Sequence, residues 1–492
     1  MEQVTVEGVK NNLLPVQKRH SRWPAARLGL VAILVSFGSS FNFGFQLLIT
    51  NPAQQAFIQF LNDSKSQIGY TVEDATLLEN EWSIIVATFF LGSIFGAVLI
   101  RDISERFGRK NGLIFSVVIQ IVSCLMAITS YFQKSHHIFT ISRFLMGIGI
   151  TKSMGISAIF ITESSPIHCR GVTSLLNGII LQFSIIVGSI MAMPQLLGTP
   201  SRWFLLYAFE LCTSLGVLCI LPFIHESPGY LMHHGKTMEA VRAVEFYHSV
   251  SEEQAEVIVN GLRFEEEKKS LVGVWCDEFS RRGTVLGMLV TMAMAMTGIS
   301  VINAFAFEIL LNTGLEKFEA SIANVFVCTF SLAGILVSTR IIDHHGRRPL
   351  LLFTFLILVL VNCAIVGLMY MHKYTESRIV GYLLVATICL FNFIFAMGPG
   401  PVSLFISGEL VSQAARAASS TWANAVMASF RFFCLALYLP LKNLTTEYIA
   451  YATFFIFPVI LVTIILYFTL PETKGKSVDD IKTAFEKQKL LK

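Results

Sequence analysis

The chain has 492 residues, of which 54% are hydrophobic, 12% aromatic and only 14% charged, with a formal net charge of +4. A soluble domain carries about 25% charged residues, so this composition excludes a soluble enzyme, a secreted disulfide scaffold and a disordered regulator. Nine cysteines (Cys124, Cys169, Cys212, Cys219, Cys276, Cys328, Cys363, Cys389 and Cys434) lie in apolar runs or basic loops without paired spacing. They read as reduced hydrophobic packers, with no zinc site and no disulfide framework.

A helix crossing a bilayer needs about 20 apolar residues. Residues 1–27 are polar and basic, and the first apolar run, 28–49, is followed by no small-residue cleavage site. That run is expected to be a retained span rather than a removed signal peptide. Five further runs follow at 82–100, 112–132, 138–161, 171–197 and 203–222. The insert 223–283 is polar; 236–250 has helical periodicity, and Ser251 with Gln254 makes a capping-box pattern. These segments predict short amphipathic helices under the membrane. Six more runs then occupy 284–312, 320–338, 349–371, 379–408, 417–440 and 448–470, and 471–492 is a second polar tail. The expected organisation is a six-helix half over 28–222, linker helices over 223–283 and a second six-helix half over 284–470.

Lys and Arg set orientation. With both termini cytoplasmic, 27 of the 37 fall inside, 7 outside and 3 within spans (Arg143, Lys152 and Arg431). The same arrangement places two glycosylation sequons, at Asn62 and Asn443, on the outer side. No basic patch suggests nucleic acid as a partner; the lipid bilayer and a small solute are the expected partners.

The polar loops repeat. Glu105-Arg-Phe-Gly-Arg-Lys110 after the second run is matched by Asp343-His-His-Gly-Arg-Arg348 after the eighth, 238 residues on. Glu163 and Arg170 are matched by Glu409 and Arg416, and Glu226 by Glu472, each 246 residues on. Three loops in one order at a nearly constant offset mean a parallel repeat of two six-span halves, the architecture that rocks about a midplane site. Arg can bridge a carboxylate and a helix end. The clusters Arg106, Arg109, Glu163, Arg170, Asp343, Arg347, Arg348, Glu409, Arg416 and Glu472 are therefore expected to latch the halves together on the cytoplasmic side and to gate them.

These residues resemble a known family. Arg106-Phe-Gly-Arg-Lys110, Glu163 with Arg170-Gly171, Glu226-Ser-Pro228, Gly346-Arg-Arg348, Gly398-Pro-Gly-Pro401, Glu409 with Arg416 and Pro471-Glu-Thr-Lys-Gly475 are similar to the facilitative glucose (sugar porter) transporters of the major facilitator superfamily. Gly38-Ser-Ser-Phe41 and Asn51-Pro52 look most like its fructose/urate branch. The resemblance implies an all-α membrane protein of twelve helices, uniport of a small polyol without a cofactor, a plasma-membrane location and a glycan at Asn62.

The pocket departs from that family's pattern. Where it has Gln-Gln-x-x-Gly-Ile-Asn, this chain reads Met294-Ala-Met-Thr-Gly-Ile-Ser300. Gly178, Ala396, Leu404, Met427-Ala428 and Arg431 replace other polar or aromatic contacts of the resembled family. The remaining polar groups expected at the substrate are Gln46, Gln182, Ser300 and Asn303, with Asn424 read as either a substrate contact or a helix–helix bond. Lys152 and Arg431, each about 21 Å into a span, leave two readings open. Either they pair with Glu210 and Glu308, or they face the cavity and hold an anion. The functional readings are facilitative hexose transport, uniport of an organic anion such as urate or a carboxylate, or a sensor or scaffold that does not transport. No nucleotide loop, metal cluster or nucleophile–base pair suggests an enzyme.

Overall fold

The computed structural model describes residues 24–67, 75–166, 169–261, 269–312, 314–375, 377–476 and 478–490. The basic tail up to residue 23 and the side chain of Asp343 lie outside them. Among the described residues, twelve helices are long and apolar enough to cross a membrane. In chain order, spans 1 to 6 are Ala26–Leu48, Ala75–Phe107, Arg109–Gln133, His136–Ser164, Arg170–Met191 and Phe204–Phe223. Spans 7 to 12 are Glu278–Asn312, Lys317–Ser338, Arg347–Thr375, Arg378–Glu409, Gln413–Leu444 and Glu447–Thr469. Several overrun the apolar stretch that predicts them because charged ends continue the helix. In span 2, for example, Arg101 and Glu105 pair at 3.1 Å one turn apart.

Between the halves run four short helices, Pro228–His233, Thr237–His248, Glu252–Gly261 and Gly273–Cys276. Ser251 immediately precedes the third, and its carbonyl accepts from the Ala255 N–H at 2.9 Å. The second helix buries Ala240, Val241, Val244 and Tyr247 in one cluster with Leu28, Phe160 and Ile161, fixing it to the first half. Val274 instead packs with Val411, Ala415 and Ala418 of the second half. The helix Val478–Leu490 returns to the same side, where Phe485 packs on Phe279, their ring centroids 5.8 Å apart. This side of the molecule is termed the linker face, and the other the opposite face. Asp277, at the start of span 7, accepts from Ser280 N at 3.2 Å and from Lys269 Nζ at 2.8 Å. Its hydrogen bond with Lys269 holds its carboxyl well below the usual range.

In lipid, helices associate by close packing at small residues rather than by a hydrophobic drive. Spans 2 and 4 show this directly. A Cβ on Gly147 would sit 1.9 Å from the Phe89 carbonyl oxygen, and one on Gly92 would sit 2.0 Å from that of Phe144. Nothing lies within 4 Å of a Cβ on Gly178. Gly147→Leu is therefore expected to cost about 3 kcal/mol or more, because backbone rather than a side chain must move. Gly178→Ala should be nearly neutral. Thermal unfolding of both variants in one detergent checks the contrast, and equal shifts would refute the packing reading.

Candidate functional site

Span 7 is broken where the site needs it. Gly298 has φ +101°, a conformation that side-chain-bearing residues rarely adopt, and it separates helix Glu278–Ala295 from helix Ile299–Asn312. The broken backbone would leave an unpaired carbonyl at membrane depth, a cost tolerated only within protein. Asn362 of span 9 supplies the partner, donating from Nδ2 to the Thr297 carbonyl at 2.9 Å, while its Oδ1 accepts from the Tyr451 hydroxyl at 3.0 Å. Just past the break, Ser300 and Asn303 line a chamber of about 10 Å³, space for a single water, shared with Gln46, Thr50, Phe90, Arg143 and Leu435. Spans 1, 2, 4, 7 and 11 thus meet at one point between the halves. Ser300 Oγ is buried there with no hydrogen-bond partner.

Toward the opposite face, polar contacts cross between the halves. Gln54 donates to Glu308 at 2.5 Å, Asn51 accepts from the Phe307 N–H at 2.9 Å, and Asn443 donates to Asn80 at 3.1 Å. Ser83 donates to the Leu435 carbonyl. Lys442 binds Glu308 of its own half and lies 4.0 Å from Glu79 of the other. Together these contacts seal the chamber on that side. They escaped the sequence reading because partners such as Gln54 and Glu308 lie 254 residues apart. The one local signal was the clustering of charges at the ends of spans 2, 7 and 11. Toward the linker face the cavity-facing stripe of span 11 opens: Ser420, Asn424 and Met427 are half-buried, and Arg431 beyond them is buried.

In this structure the ion pairs described for the repeated loop motifs lie within each half. Arg109 binds Glu163 at 2.8 Å, and Arg347 lies 3.4 Å from Glu409. Gly108 and Gly346 have φ +93° and +88°, and each opens a following span. There the Glu226 carboxylate accepts from the N–H groups of Arg109 (3.1 Å) and Lys110 (3.0 Å). Glu472 does the same for Arg347 (3.0 Å) and Arg348 (3.1 Å). A carboxylate at a helix N-terminus satisfies N–H groups that have no partner within the helix. Ser227 then donates to Glu163, and Thr473 to Glu409 at 2.6 Å. Burial pushes the Glu226 carboxyl up, opposed by these donors and by the Arg109 charge. Arg416 donates to the Gly408 carbonyl at 3.1 Å, Arg348 to that of Tyr467 at 2.7 Å, and Arg106 and Arg170 are exposed. The motifs therefore staple the ends of neighbouring spans together within each half.

The two glutamates offered as partners for the buried cations are engaged elsewhere. Glu210 accepts from Gln46, whose own carbonyl accepts from Arg143; Glu308 is held by Gln54 and Lys442. Among the described residues no carboxylate pairs with Lys152 or Arg431. Lys152 also does not face the chamber. It lies three residues after Gly149, which abuts Gln120 of span 3, and three before Gly155, which abuts Ile100 of span 2. Nine residues separate it from Arg143, about two and a half turns, so the two point to opposite sides of span 4. Lys152 sits in the wedge between spans 2 and 3, and its expected role at the substrate is withdrawn. Arg431 is at the centre, with its guanidinium 5.7 Å from the Phe90 ring centroid and Nη2 3.9 Å from Met294 Sδ.

Two other expectations change. Gln182 donates to the Cys328 carbonyl at 3.1 Å, joining spans 5 and 8 across the halves rather than meeting the chamber. Asn443 is in the last turn of span 11, and a glycan on its amide nitrogen would exclude its bond to Asn80. Asn62 lies half-buried in the helix Gln54–Gln67.

Residues 31–485 match the family model for sugar (and other) transporters, and the chain belongs to that family. It is similar to facilitated glucose transporter member 5 of Equus caballus, 26% identical over 485 residues covering 96% of this chain and 94% of that protein. It is also similar to human facilitated glucose transporter member 9, 27% identical and covering 96% and 88% of the two chains. The fold matches the xylose transporter XylE from E. coli in a partially occluded inward open conformation. The TM-score is 0.74 at 20% identity, covering 92% of this chain and all of that one. The chain is thus a multi-pass membrane transporter with the major facilitator fold.

Replacing Lys442 by Met should weaken the seal by removing the cation shared by Glu308 and Glu79. We expect the population open toward the opposite face to rise roughly tenfold, about 1.4 kcal/mol. An engineered cysteine at Leu435 should then react faster with a membrane-impermeant thiol reagent applied to that face. An unchanged rate would remove Lys442 from the seal.

Proposed function

We propose that this protein carries a hexose, glucose- or fructose-like, down its gradient by alternating access. The observation that carries this reading is the chamber between two internally stapled halves, sealed on one face, in a chain that belongs to the sugar transporter family along almost its whole length. The excess of Lys and Arg makes the linker face cytoplasmic, so the arrangement corresponds to a carrier closed to the outside, with both termini inside and a plasma-membrane location. Transport then requires the contacts of Gln54, Glu79, Asn80 and Ser83 with the second half to break while a cytoplasmic closure forms. Arg109–Glu163 and Arg347–Glu409 would persist through the cycle as the reinforcement that lets each half turn as a body.

Neutral polar groups left on the pathway are Ser300, Asn303, Thr50 and Asn424, fewer than a neutral hexose with five hydroxyls would satisfy. Each unmet buried partner costs about 1–3 kcal/mol. Low affinity for neutral hexoses follows. Purified protein in liposomes should take up labelled glucose or fructose saturably, without an imposed ion gradient, at half-saturation well into the millimolar range. Uptake equal to that of protein-free liposomes for every hexose tried would favour a sensor or scaffold.

A further inference from the structure

Arg431 is the unexplained charge of the pathway. It is 7% exposed, and its Nε has no hydrogen-bond partner. Nη2 meets only a thioether sulfur, a weak acceptor, and the Phe90 ring offers one face of π density. A guanidinium carries five donors and stays charged, so a buried one persists where a counter-charge reaches it. Its own molecule supplies no carboxylate among the described residues: Glu210 and Glu308, the intramembrane candidates, are bound to other side chains.

Its position says what could reach it. Arg431 is one turn toward the linker face from Leu435, on the side of span 11 that lines the chamber, and Phe90 is shared between the two. Across the chamber, Ser300 Oγ is buried and unpartnered, and Asn303 presents an amide. Arg143 also lines the chamber but is tied to Glu210 through Gln46, which leaves Arg431 as the neighbouring cation without a counter-charge. That cation with a few neutral hydroxyl and amide groups fits a small polyhydroxylated molecule bearing a single negative charge. Once the chamber, which here has space for a single water, widens in the transport cycle, a carboxylate would receive paired donors from the guanidinium, and hydroxyls would reach Ser300 and Asn303.

We propose that Arg431 makes this carrier select a sugar acid, a monoanionic hexose derivative such as a uronate, over the neutral hexose. This rests on the reading of the protein as a sugar carrier and specifies its substrate class.

The test uses full-length protein in liposomes, with labelled D-glucuronate and D-glucose as probes. The unmodified protein should take up D-glucuronate at least tenfold more efficiently than D-glucose. Arg431→Asn should invert that ratio, and Arg431→Lys, which keeps a cation, should retain the preference for the acid. Thermal stabilisation of the detergent-solubilised protein by D-glucuronate should follow the same order, which separates loss of binding from loss of folding. A preference for D-glucose in the unmodified protein, or a ratio unaltered by Arg431→Asn in a folded variant, overturns the proposal while leaving the sugar carrier intact. Absence of both uptake and stabilisation with either probe overturns the carrier reading, and this proposal with it.

Discussion

A bilayer core offers no hydrogen bonds, so every polar group inside it must be matched by the protein or by what the protein carries. The arrangement of this molecule follows from how that demand is met. Groups matched within one half make that half rigid, as with Asn42 bonded to Gln120 and Ser214, or Asn362 capping the break in span 7. Groups matched across the halves hold one conformation, as with Gln54 on Glu308 and Asn443 on Asn80. Two of the groups left unmatched, Ser300 Oγ and Arg431 Nε, lie at or beside the chamber.

The same demand explains the irregularities of the helices. Span 1 changes to a π-helix over Phe37–Phe41, immediately before Asn42, and span 7 breaks at Gly298, two residues before Ser300. Such interruptions occur at functional positions because a regular helix pairs its backbone internally and presents side chains at fixed angles. Here each interruption is surrounded by protein and satisfied by a neighbouring span, so its cost is offset and the chamber residues are re-aimed.

The twelve spans and the repeat were legible because hydropathy is local and because Gly108 and Gly346, with Glu226 and Glu472, perform one local task twice. Partners across the halves were not legible. Glu308 had several cations within the same depth of membrane, and only the packed structure assigns it to Lys442 and Gln54 rather than to Arg431. The direction of Lys152 was readable in principle: its nine-residue separation from Arg143 turns it to the far side of span 4. Reading depth without direction put it at the substrate. The loop motifs were recognised correctly as charged clusters, yet spacing could not say whether their partners lay within a half or across the divide.

The central claim is that two stapled halves rock about the chamber, opening one face as the other closes. Spin-label distances at both ends of the same helix pair test it most directly. With the exposed Cys212, Cys219, Cys276 and Cys363 replaced, labels at Leu77 and Leu444 report the opposite face, and labels at Phe107 and Gln413 report the linker face. Measured in nanodiscs with and without D-glucose or D-glucuronate, the two distance distributions should move in opposite senses, one lengthening as the other shortens. Distances that stay fixed, or that lengthen together, would contradict rigid rocking about a midplane site.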